Sequence, residues 1–103
     1  MLIVSGLITL DPEAVGAVDK MAELVAPLVE ATRAEPGNVS YGFWSSLEEP
    51  NIVRAHEEWQ DTDALNAHMA SEHMAEFMAA MGSLPVIGVE IYQYDVSETT
   101  KLM

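Results

Sequence analysis

A chain of 103 residues, half of them apolar and a fifth charged, has the composition of one folded globular domain. Its 17 acidic against 4 basic residues give a formal charge of -13, which disfavours nucleic acid, anionic membranes and polyanionic cofactors as partners. Cysteine is absent, so disulfides, thiolate metal centres and a cysteine nucleophile are excluded.

The apolar start from Met1 to Ile8 has no basic leader and soon meets Asp11 and Pro12. It reads as a strand over Leu2 to Thr9, buried on both faces, rather than as a signal peptide or membrane span, and a cytoplasmic location is expected. From Glu13 to about Ala34, Val15, Val18, Ala22, Val25 and Val29 recur at steps of three and four, predicting an amphipathic helix that Pro27 should kink. Glu35-Pro36-Gly37-Asn38 stops it. Val39 to Glu48 then alternates, with Val39, Tyr41 and Phe43 on one side and Ser40, Gly42 and Trp44 on the other. Glu49-Pro50-Asn51 turns the chain into an antiparallel strand over Ile52 to Gln60.

Asp61 or Thr62 can cap a helix from Asp63 to Met69, and Ser71 a second one from Glu72 to Met81. After Gly82, Leu84 to Val96 has the β-branched and aromatic content of a last strand. The order βαββαβ predicts an α+β, ferredoxin-like domain over residues 1–96, a four-stranded antiparallel sheet with its helices on one face, followed by a polar tail over 97–103. Strands apolar on both sides leave one sheet face to be covered, and a homodimer packed sheet to sheet is the simplest cover.

Chemistry concentrates between His56 and His73, which hold all three histidines and Trp59. Parity puts Val53, Ala55, Glu57 and Trp59 on the helix side, where a glutamate needs a partner. His68, from the following helix, is the expected partner of Glu57, directly or through one water. The same pair could instead simply tie helix to sheet. Ala55, Gly42 and Gly88 could leave a cavity if they share a layer with Trp59. His73 can converge with His68 only if the helix breaks at Ala70-Ser71, and no pair of histidines has helical metal-motif spacing, so no metal is expected. Met69, Met74, Met78, Met81 and Phe77 form an apolar stripe that reads first as core and second as the wall of an adaptable pocket. No GxGxxG, P-loop or supported Ser-His-Asp set occurs.

The strand from Leu2 to Ile8, the Glu35-Pro36-Gly37-Asn38 turn leading to Tyr41, the Glu57-Glu58-Trp59 strand end, and the run from Ala64 to His68 continuing into Ser71-Glu72-His73 together resemble the antibiotic biosynthesis monooxygenase family. The resemblance implies a dimeric α/β barrel of ferredoxin-like protomers. It also implies oxidation of small aromatic polyketides or quinols by molecular oxygen without a cofactor, or, in one branch, haem breakdown. In the oxygenase reading His68 with Glu57 accepts the phenolic proton, Trp59 walls the ring, and His73, Tyr41 and Phe77 complete the substrate site. The haem branch uses a first-strand asparagine where this chain has Gly6, which counts against haem. The rival of another class is a non-catalytic dimer that binds a small aromatic or serves an accessory role.

Overall fold

A computed structural model describes residues 1–103. The elements are β1 (Leu2–Leu10), α1 (Ala17–Arg33), β2 (Asn38–Ser45), β3 (Ile52–Trp59), α2 (Thr62–Met69), α3 (Glu72–Met81) and β4 (Val86–Asp95). The strands form one antiparallel sheet in the order β2-β3-β1-β4, with the long crossovers through α1 and through α2 and α3 that define the ferredoxin-like α+β fold. No helix is long and apolar enough to cross a membrane.

Strand parity decides what meets the helices. In β1 the even positions from Leu2 to Leu10 are buried and the odd ones half-buried. Their cross-strand partners on β3 are Trp59, Glu57, Ala55 and Val53, so all four look toward the helices. Trp59 joins Leu2, Leu28, Tyr41, Leu65 and Phe77 in one core cluster, while Ile8, Leu10, Met21 and Leu84 anchor a second beneath the start of α1.

The helix begins at Ala17 rather than Glu13. The Asp11 carboxylate accepts the Glu13 N–H, the Asp11 carbonyl accepts that of Ala14, and Gly16 takes φ +76°, so the residues after Pro12 form turns and not helix. Pro27 lies within a helix that continues unbroken to Arg33.

β4 is bare on both faces. Val89 and Ile91 on the helix side, and Tyr92 and Tyr94 on the other, are each about half exposed or more. On the helix-free face they continue into Leu7, His56 and Trp44.

Candidate active site

Three short-range devices bring distant residues together. Asp61 caps α2 by accepting the Ala64 N–H at 2.8 Å, fixing where that helix starts after Trp59. Ser71 ends one helix and starts the next: its hydroxyl donates to the His68 carbonyl at 2.6 Å and accepts from the Met74 N–H at 3.3 Å. That bend carries His73 back toward His68, and the two rings lie 5.9 Å apart.

The third device is the turn after α1. Gly37 adopts φ +84°, and a Cβ there would stand 2.6 Å from the Ala64 methyl, so only glycine lets the turn lie against α2. The Gln60 N–H donates to the Gly37 carbonyl at 2.8 Å, locking turn to sheet end. Glu35 is thereby held over α2 and α3.

Glu35 is the partner of both histidines. Its Oε2 accepts from His68 Nδ1 at 2.7 Å and from His73 Nε2 at 3.0 Å. The expected direct bond between Glu57 and His68 is replaced: Glu57 Oε1 accepts instead from the Trp59 indole N–H at 3.0 Å. The carboxylate from the turn reaches the imidazole edge, while Glu57, on the same strand face as Trp59, meets the indole two residues along.

The Glu35 carboxylate accepts at Nδ1, which leaves Nε2 as the ring nitrogen free for another partner. His68 is fully buried, and Nε2 has no hydrogen-bond partner. Trp59, also fully buried, packs against the imidazole at 4.8 Å between centroids, and Tyr41 stands at 5.3 Å. The Thr32 hydroxyl is also buried, and it lies within reach of the Tyr41 phenol. A buried polar atom left unsatisfied costs about 1–3 kcal/mol.

Burial, then the charges of Glu57 and Glu35, pushes the Tyr41 phenol well above its ordinary range. Tyr41 is therefore a hydrogen-bond donor here and not a base. Burial likewise raises the Glu57 carboxyl, against the opposing pull of the Trp59 N–H and of His68.

Phe77 lies in the core, with its ring 6.0 Å from that of Phe43. Met74 and Met81 pack against the same core, whereas Met69 and Met78 face outward. Of the small residues expected beside Trp59, only Ala55 is on that face, where it meets Gly6 across the strands. Gly42 and Gly88 lie on the helix-free side, Gly42 beneath the Trp44 ring, which a Cβ would meet at 2.7 Å. A groove of about 380 Å³ runs instead between α1 and α3, lined by Leu28, Ala31, His73 and Phe77 among others, and it touches the site at His73.

A ferredoxin-like sheet with a buried histidine, carboxylate and tryptophan under its helices defines the class as α+β. Residues 1–80 match the family model for antibiotic biosynthesis monooxygenases, and the chain belongs to that family. It is 31% identical over 104 residues to an uncharacterized protein of Synechocystis, covering 98% of this chain and 67% of that one. YcnE of Bacillus subtilis, described as a candidate monooxygenase, is 30% identical over 71 residues, 69% of this chain and 75% of its own. A solved antibiotic biosynthesis monooxygenase superposes with TM-score 0.81 at 28% identity, covering 95% of this chain and all 100% of the other. A structure from Deinococcus radiodurans with TM-score 0.89, 23% identical and covering 100% of this chain and 99% of its own, shares the fold.

Proposed function

We propose that the protein is a cofactor-independent monooxygenase that works as a homodimer on a small aromatic phenol, quinol or enolisable anthrone, with molecular oxygen as co-substrate. The observation that carries this reading is His68 Nε2, buried and without a hydrogen-bond partner, on a ring whose Nδ1 is held by Glu35. A module that only bound a ligand would need no imidazole held in that form.

The substrate hydroxyl docks against His68 Nε2 and gives up its proton there, while Glu35 stabilises the imidazolium that forms. Tyr41 supplies a hydroxyl beside the same ring, with Thr32 next to Tyr41, and Trp59 walls it. The resulting aromatic anion is electron-rich enough to reduce oxygen by one-electron steps. For a methylene substrate, one oxygen atom ends in the new carbonyl and the other leaves as water with the two methylene hydrogens, so the substrate supplies all four electrons. Buried walls shield the radical pair from water. The groove between α1 and α3, which reaches the site at His73, is the route of entry. The family match supports the reaction class, and the bare helix-free sheet face supports the dimer.

Oxygen uptake with a panel of dihydroxynaphthalenes and anthrones, in chelator and without flavin, tests this. We expect turnover that His68→Gln removes. Folded protein inert toward the whole panel, or equal rates in the variant, would overturn it.

A further inference from the structure

We propose that Glu35, His68 and His73 bind one divalent transition-metal ion. The three come from separate segments: the turn after α1, the end of α2 and the start of α3. They nevertheless present one ligand atom each, Glu35 Oε2, His68 Nδ1 and His73 Nε2, all within 4.8 Å of one another. Sequence spacing argues against a metal because the two histidines sit five apart and no pair has the i,i+4 spacing of a helical metal motif. The break at Ser71 brings the rings together, and the turn at Gly37 supplies the acid.

Metal bonds to histidine and carboxylate run about 2.0–2.2 Å, which sets neighbouring ligand atoms roughly 3 Å apart. Two of the three pairs already stand at 2.7 and 3.0 Å. A small widening of those two contacts, with His68 Nδ1 and His73 Nε2 drawn closer than the 4.8 Å that bounds them, would admit an ion. Two imidazoles and one carboxylate suit zinc, cobalt or ferrous iron, and they suit magnesium and calcium poorly because those ions prefer all-oxygen sites. Charge favours a cation as well. Glu57 and Glu35 lie close enough to repel, and the chain as a whole is strongly acidic. His73 keeps a quarter of its side chain exposed at the groove, giving an ion a route in without unfolding.

Metal on His68 takes the Nδ1 lone pair, and the ring proton moves to Nε2. The imidazole then donates at Nε2 and can no longer accept a proton there. This consequence rests on the proposed base, whereas the site itself does not: protein that binds metal yet shows no oxygen uptake when stripped of metal would remove the base and leave the metal site standing.

The test is a titration of chelator-stripped full-length protein with Co²⁺, read by visible absorption and calorimetry. We expect one ion per chain with micromolar affinity, resistant to excess Mg²⁺. His73→Gln and Glu35→Gln should each weaken binding by about tenfold or more, with melting curves showing that the variants fold. His56→Gln, on the opposite sheet face beside Glu58, should change nothing. Absence of saturable binding below millimolar Co²⁺, binding unchanged in both site variants, or binding lost with His56→Gln would overturn the proposal.

Discussion

Glu35 and His68 are 33 positions apart, yet Glu35 Oε2 and His68 Nδ1 meet at 2.7 Å, with only 1% of the His68 side chain exposed. This contact joins the turn after α1 to the end of α2 and leaves Nε2 as the ring nitrogen on which the proposed chemistry depends.

The first prediction concerns Glu57, whose carboxyl burial raises above its ordinary 4.5. A folded-state value above the unfolded one means that the contribution of this group to stability is full below the unfolded pKa and is lost as pH rises through the folded pKa. Glu57→Gln keeps an oxygen for the Trp59 N–H and cannot ionise. Its melting temperature relative to wild type should therefore climb between pH 4 and neutrality. Parallel pH profiles for the two proteins would contradict the buried-carboxyl account.

Trp59 is more structural than a ligand wall alone would be. It has no exposed surface and holds Glu57 through its indole N–H. Trp59→Ala should cost about 3–5 kcal/mol, enough to unfold much of a small domain. Trp59→Phe should fold, with a loss of about 1–3 kcal/mol from the unpaired Glu57 oxygen. Urea melts of both check the ranking.

Gly37→Ala forces an L side chain into φ +84° and drives its methyl to within 2.6 Å of that of Ala64. The backbone conformation alone should cost about 1–2 kcal/mol. Adding Ala64→Gly relieves the contact and not the conformation, so the double variant should recover only part of the loss in chemical denaturation.

The helix-free face, with Tyr92, Tyr94 and Trp44 all more than half exposed, should be buried in a homodimer. Sedimentation at micromolar concentration should give two subunits, and Tyr92→Glu with Tyr94→Glu should shift the boundary toward one. A monomeric wild type would contradict the dimer.

Period-2 parity is enough to put Glu57 with Trp59 and to set Tyr41 opposite Trp44, while the pairing of Tyr41 with Glu57 comes only from the register; the Ser71 cap is visible as the break that turns His73 toward His68. Family membership and fold were equally readable, because the Glu-Pro-Gly turn, Trp59 and the two histidines keep a recognisable order. The partner of His68 was not. Glu35 reads locally as part of a helix stop, and only the close approach of Gly37 to Ala64 makes it an active-site neighbour. The start of α1 was misplaced because the Asp11 turn and the Gly16 conformation override a helical pattern that begins at Glu13. Gly42 was offered as cavity space, yet the Trp44 ring two residues along the same strand fills it.

The most direct measurement binds a hydroxynaphthalene anaerobically, in chelator, and reads its absorption spectrum. With oxygen absent the ring is not oxidised, and ionisation is read from the naphtholate band, distinct from the smaller shift that burial gives the neutral ligand. The account predicts that wild-type protein near neutral pH shifts the bound ligand to its naphtholate spectrum, and that Glu35→Gln and His68→Gln bind it with the neutral spectrum. A ligand that stays neutral in the wild type, or ionises equally in all three proteins, would contradict His68 Nε2, held by Glu35, as the base.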